Sequence, residues 1–499
     1  MFKHALTQEV ASNSLLLKQR SLLHERTAQA IEVLFPERLT EYCSELAHHY
    51  SQSGNVPKAV DYLQLAGKQA LQRSAQSEAI RHLSAALDLL KSQADTPERQ
   101  RKELSLLLTL GPAWMAARGS GAPEVEATYT RALALSEQGG ETPEYFSAQL
   151  GLWSFYLLRS QLKTARTLAE RLLSLAQHTQ DPEQLAEGHR VLGSTVFRLG
   201  EIIRARTHTE RALALHRSDR QSYGHLLRYA RNPAAHMRCT LSWILWYLGL
   251  PDQSRSRIEE ALAIARETSD PFALALCLIF AGELYQRRGE PDQVLEYANA
   301  ALELSREQGF PFYLARATIL RGWALAWQGS HEEGICLIHQ GIDAHEATGA
   351  ALGRPSQLGL LADAYGRAGQ PEAALRVLDD ALALVNDTDE RFDEATLIRL
   401  QGELILQSPG ENARSAVMAE EAETHLQKAM TLARHQGANA IKLQCALSLA
   451  RLWRRQGKDD AAKQILLDIN ATFTEGKDTV DSRQASEMLA RLSLRPRHG

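Results

Sequence analysis

Apolar residues recur three and four positions apart through most of this chain, and glycine interrupts them at a fixed interval. Gly249, Gly289, Gly329 and Gly369 lie 40 residues apart, and Gly282, Gly322 and Ala362 stand seven positions before the last three. Between these glycines run segments such as ALCLIFAGELYQRRGEPDQVLEYANAALELSREQG and LGLLADAYGRAGQPEAALRVLDDALALV. Each reads as an apolar helix, a glycine beside polar or proline residues, and a second amphipathic helix. The glycine that ends a helix suits positive φ, and the small residue before it lets two helices approach closely. Ala301, Gly341 and Ala381 keep the next contact narrow.

Looser units surround this central register. Gly193 and Gly200 keep the seven-residue spacing, Gly54 is followed by Ala59 and Ala66, and Gly402 and Gly457 mark later units. The pattern predicts an all-α, tetratricopeptide-like α-solenoid, a right-handed superhelix of antiparallel helical hairpins. A linking helical segment is expected over 1–39, amino-terminal repeats over 40–215, and an inserted connection over 216–238. Repeats of about 40 residues then fill 239–470, and a terminal loop and capping helix occupy 471–499. Because the basic tetratricopeptide unit has 34 residues, the period predicts a lengthened second helix and linker.

Composition narrows the function. With 56 basic and 60 acidic side chains the formal charge is −4, which offers no broad cationic field for nucleic acid or an anionic membrane. Five widely separated cysteines lack the close pairs of a zinc site or redox couple, and no run is apolar enough for a bilayer. A reduced, cytoplasmic protein without membrane insertion, metal or cofactor is the expectation. The 17 histidines form no HExxH arrangement, and no serine occupies a Gly-x-Ser-x-Gly turn. Adjacent acids such as Glu259 with Glu260 and Asp379 with Asp380 diverge on a helix and make poor paired carboxylates. The chain reads as no enzyme.

Binding is easier to motivate. Trp323 and Trp327 sit at first-helix positions that face the groove in tetratricopeptide arrays, with Trp243 and Trp246 near the corresponding face. Arg198, Arg287, Arg367 and Arg455 recur two positions before their glycines, where Trp327 stands in the intervening unit. They suit acidic groups or a carboxylate. Against this, Glu283 with Arg287 and Asp363 with Arg367 have the i,i+4 spacing of local ion pairs. The expected partner is a protein or peptide, or a small effector, and the apolar positions of the first thirty residues suggest self-association as well.

Longer runs carry a closer resemblance. FKHALTQEVASNSLLLKQRSLLHERTAQAIE, PFYLARATILRGWALAWQG, GRPSQLGLLADAYGRAGQPEAAL and ALSLARLWRRQGK with FTEGKDTVDSRQASEML resemble the carboxy-terminal repeat array of large bacterial signal-transduction ATPases. These include ATPases fused to class III adenylate or guanylate cyclase domains. The resemblance implies a noncatalytic sensor that reports to an upstream ATPase or cyclase module. No phosphate-cradling Gly-Lys-Ser/Thr loop occurs, so any nucleotide chemistry would belong to that module. The alternatives are a constitutive scaffold and, less favoured, an enzyme with a site built across repeats.

Overall fold

The computed structural model describes residues 17–137, 140–216, 232–408 and 413–494. Residues 1–16 and 217–231, which carry most of the expected inserted connection, lie outside the described residues, as does part of the loop expected around 408–417. The architecture is an all-α, tetratricopeptide-like solenoid of helical hairpins, and it divides into two compact units.

Sequence punctuation explains the hairpins. Proline opens Pro182–Arg198, Pro233–Tyr247, Pro251–Glu267, Pro271–Arg287, Pro291–Gln308, Pro311–Trp327 and Pro371–Thr388, where a missing N–H costs nothing. Asp181, Asn232 and Asp270 cap three of these by accepting backbone N–H bonds. Gly249, Gly289, Gly329 and Gly369, which follow the first helices of the central register, take positive φ, from +71° at Gly289 to +101° at Gly329. Helix Pro233–Tyr247 begins within the range 216–238, so its first turns already belong to the repeat stack.

The extra length of the unit is unevenly placed. In the hairpin around Gly329 both helices have 17 residues, whereas in the next one Arg354–Arg367 has 14 and Pro371–Thr388 has 18, the longer second helix of the expectation. The small residues also act in two ways. A Cβ on Gly322 would stand 2.7 Å from the carbonyl of Gly334 in the same hairpin, whereas one on Gly282 would meet Leu320 of the next first helix at 2.9 Å. Gly282 therefore serves packing between hairpins rather than the approach of its own second helix.

One unit comprises 1–117 and 124–151. Tyr50 stacks on Tyr62 with ring centroids 5.7 Å apart, and both hydroxyls donate to the carboxylate of Glu32. The ring of Tyr129 fills a slot between Gly111 and Gly151, at each of which a Cβ would come within 2.3 Å of it.

The other unit comprises 118–123 and 152–499. Here backbone groups far apart in sequence meet. The N–H groups of Ala351 and Leu352 donate to the carbonyl of Leu158, and those of Arg391 and Phe392 donate to the carbonyl of Arg198. Asn439 Nδ2 donates to the carbonyl of Leu248, 191 positions away. Within this unit the stack returns on itself, and its first helices enclose a space.

His345 is buried in this unit against Phe312, with ring centroids 5.1 Å apart, and neither ring nitrogen has a hydrogen-bond partner among the described residues. Burial, reinforced by Arg316 and Arg354, lowers its pKa to about 3. Between that value and about 6.5 the unfolded chain binds the extra proton, so this contribution is complete above about pH 6.5 and is lost as pH falls. The difference amounts to on the order of 5 kcal/mol. Melting temperature should therefore drop more steeply below pH 6.5 in the wild type than in His345→Leu. Parallel slopes in the two proteins would show that His345 carries no such penalty.

Candidate functional site

The first helices of the larger unit turn a repeating stripe inward. Counting back from Gly249, Gly289, Gly329 and Gly369, the residues thirteen positions earlier are His236, Leu276, Arg316 and Ser356. Those nine earlier are Thr240, Phe280, Leu320 and Leu360, and those six earlier are Trp243, Glu283, Trp323 and Asp363. All of them line one cavity of about 530 Å³, a size within the roughly 300–1,000 Å³ common for small-ligand sites.

Of the eight residues singled out by sequence, Trp243, Trp246, Trp323, Trp327, Arg198, Arg287 and Arg367 line this cavity. Arg455 does not. It is exposed near the end of helix Asn439–Arg455, and Arg451 and Gln444 of that helix line the cavity instead.

Two aromatic centres organise the wall. Trp243 stacks on Phe280 at 4.4 Å between centroids, and its Nε1 donates to the Phe280 carbonyl. The guanidinium carbons of Arg198 and Arg287 lie 5.2 and 4.6 Å from the Trp243 ring. Further along, Trp323 and Trp327 have centroids 4.9 Å apart, Trp323 Nε1 donates to Asp363 at 2.9 Å, and Arg367 lies 3.3 Å above the Trp327 ring. Trp323 is almost wholly buried, whereas Trp327 is half-buried and offers the more accessible ring.

The expected ion pairs divide. Arg367 does bond Asp363 through Nε, at 3.1 and 3.2 Å. Arg287 reaches only the main-chain carbonyl of Glu283, and its charge partner is Asp393 at 3.3 Å. The Glu283 carboxylate instead binds Arg316, with Nη2 at 2.6 Å, because its inward position brings it to the next first helix.

Asp393 and Glu390 carry no repeat signal and were not foreseen. They belong to the segment that follows the helix Pro371–Thr388, where the returning stack inserts Phe392 against Arg198, 4.8 Å from its guanidinium carbon. Asp393 accepts bonds from Arg287, Ser356 and the hydroxyl of Tyr247, and burial drives the Tyr247 phenol well above its ordinary pKa. Glu390 is buried, which raises its pKa against the opposing pull of Arg198. Tyr247 itself stands two positions before Gly249, in the register of Arg287 and Arg367, so that one contributor was open to the same counting.

At the opposite end Arg399 binds Glu403 at 2.6 Å, Ser448 donates to the same carboxylate, and Gln444 binds Asp481 at 2.9 Å. The lining contains seven arginines (198, 287, 288, 316, 367, 399 and 451) and five carboxylates (283, 363, 393, 403 and 481), leaving a modest positive excess. Among the described residues several polar atoms around it are buried without a partner: Glu283 Oε2, Gln357 Oε1, Thr396 Oγ1, Arg288 Nη1 and Arg399 Nε. Such atoms cost roughly 1–3 kcal/mol each when left unsatisfied, and they are closed off from the open space, so they belong to the wall rather than to its contact surface.

Among the described residues no group of three or more histidine, cysteine or acidic side chains is placed to hold a metal, and no helix is long and apolar enough to cross a membrane. Cys239 and Cys277 are buried with their sulfurs 3.6 Å apart and are not bonded as a disulfide.

Residues 234–307 and 357–392 each match a tetratricopeptide repeat family model. The chain is similar to the uncharacterized protein R02095 of Rhizobium meliloti (strain 1021), at 23% identity over 453 residues, covering 90% of this chain. It spans only 43% of that relative's length. Among solved structures, it resembles a Rap protein complexed with competence and sporulation factor, at TM-score 0.47 and 10% identity over 73% of this chain and 99% of that one. The apo form of RapI gives TM-score 0.37 and 15% identity over 61% and 99% of the two chains. Yeast Tom70 gives 0.35 and 13% over 94% and 96%. Similarity at this level assigns no ligand to the present chain.

Proposed function

We propose that this chain is a noncatalytic regulatory array that takes a short peptide, or a small effector of similar chemistry, into the cavity of its larger unit. The observation that carries this reading is a cavity of about 530 Å³ walled by aromatic rings with arginines laid against them. Trp327 and Arg367 present one stacked platform, and Arg198, Arg287 and Arg316 lie beside Trp243 and Phe280. The carboxylates in the wall are mostly engaged by arginine, hydroxyl, indole or amide donors, an arrangement better suited to fixing a shape than to moving protons.

The second part of the proposal is that occupancy is passed to an ATPase or nucleotide-cyclase module. The resemblance of the quoted runs supports it, and the greater length of the Rhizobium relative leaves room for such a module. The segment 389–393 is a suitable relay, since it touches the cavity through Asp393 and the preceding part of the stack through the N–H groups of Arg391 and Phe392.

Tryptophan fluorescence and native mass spectrometry of the purified chain against peptide and metabolite pools would test the first part. A saturable ligand is expected, with affinity falling about tenfold in Arg367→Ala, a loss of about 1.4 kcal/mol. No saturable ligand, or one indifferent to Arg367 and Trp327, would refute a cavity site of this kind. For the relay, hydrogen exchange at 389–393 should slow or quicken on binding. Unchanged exchange there, with stable partner capture, would favour a scaffold.

A further inference from the structure

The arginines of the cavity are not equally committed. Arg287 donates to Tyr247, to the Glu283 carbonyl and to Asp393. Arg198 is nearly enclosed, yet among the described residues its guanidinium makes a single hydrogen bond, Nη1 to Glu390 at 3.4 Å. Glu390 has two further donors, the Gly353 N–H, shared between its two oxygens at 2.9 and 3.1 Å, and the Ser160 hydroxyl at 3.4 Å. Arg198 is thus a buried cation whose one carboxylate contact is long and leaves its other donors uncommitted.

Arg316 lies close enough to oppose the charge on Arg198. Its Nε and Nη2 both point to Glu283 Oε1 at 3.2 and 2.6 Å, while Nη1 has no hydrogen bond among the described residues. Arg198 beside Trp243, and Arg316 5.7 Å from Phe280 and 5.4 Å from Phe312, therefore frame an aromatic recess with guanidinium donors to spare. Burial and mutual repulsion weaken Arg198 as a cation. An anion placed between the two arginines offsets their repulsion and forms charge-assisted bonds.

The surroundings select the kind of anion. The rings of Trp243, Phe280 and Phe312 beside the two arginines favour a ligand whose body is apolar. Glu283, already bound to Arg316, and Glu390, beside Arg198, would repel a phosphate dianion more than a monoanion. We propose that the recess between Arg198 and Arg316 receives the carboxylate of an otherwise apolar ligand, such as the free C-terminus of a short peptide. This rests on the reading of the cavity as a ligand site and names the group that orients the ligand there.

Pools of N-acetylated tripeptides with apolar and aromatic residues, prepared as free acids and as C-terminal amides, would be titrated against the full chain. Binding would be followed by tryptophan fluorescence and native mass spectrometry. The acids should bind at least about tenfold more tightly than the amides. That gap should shrink to within about twofold in Arg198→Gln and separately in Arg316→Gln, and Arg316→Lys should restore part of it. Circular dichroism of each variant checks folding, and Arg316→Gln decides the matter if Arg198→Gln does not fold. Equal binding of acids and amides, persistence of the gap in folded variants, or displacement of the acids by inorganic phosphate at lower concentration would overturn the proposal. Failure of both pools alongside discovery of another occupant would overturn this inference while leaving the cavity reading intact. Failure of every ligand would remove both.

Discussion

Replacing Glu390 by alanine should destabilise the larger unit by about 3–5 kcal/mol, the usual cost of removing one partner from a buried ion pair. The loss would have three sources. Arg198 would remain buried without a counter-charge, the Gly353 N–H would lose both of its acceptors, and Ser160 would lose its own. Glu390→Gln should be milder, because an amide oxygen still accepts from Gly353 and only the charge pairing goes. The measurement is thermal denaturation of the two variants beside the wild type, with limited proteolysis to show whether cleavage begins around 349–393. Equal melting of alanine and glutamine variants, both close to wild type, would show that the segment is not held by this side chain.

The second large effect is expected at Trp323. Its side chain is 1% exposed, packs beside Trp327 and donates to Asp363. Truncation to alanine should cost about 3–5 kcal/mol through lost contacts and the void left behind. It would also free Asp363, so that Arg367 pairs with it more completely and leaves the Trp327 ring. Trp323→Phe retains most of the volume and should lose far less stability while still removing the indole donor. Comparing the two by denaturation, with ligand affinity measured in the phenylalanine variant, separates packing from recognition. If alanine and phenylalanine prove equally tolerated, the ring is not part of a close-packed wall.

The hairpins were readable because their signals are local. A glycine that needs positive φ, a proline that opens the next helix and a small residue where backbones meet all act within a few positions, and Gly289 with Pro291 is such a case. The inward stripe was partly readable for the same reason, since Trp243, Glu283, Trp323 and Asp363 keep a constant offset from their glycines. Arg316 could have been found by extending the same count to thirteen. Glu390 and Asp393 could not. They lie between helices, outside the repeat register, and their partners Arg198, Tyr247 and Arg287 are brought to them only by the return of the stack. The partner of Arg287 was misjudged for the same cause: i,i+4 spacing offered Glu283, while tertiary structure supplied a better-placed acid.

That return also changes what kind of polymer the larger unit is. An open row of hairpins touches only its neighbours, so units can be added or removed, and folding can spread along the row from any point. Here Arg159 with Gly349, Arg198 with Glu390 and Asn439 with Leu248 join residues 190–192 positions apart, a little under five periods of 40. The row has become a counted ring of courses, each fastened to the one laid before it. Loss or duplication of one hairpin between those points would offset every fastening by a whole course. The contacts that close it also span long stretches of chain, which slows folding, so evolution can vary the length of this protein freely only beyond the ends of the fastened part.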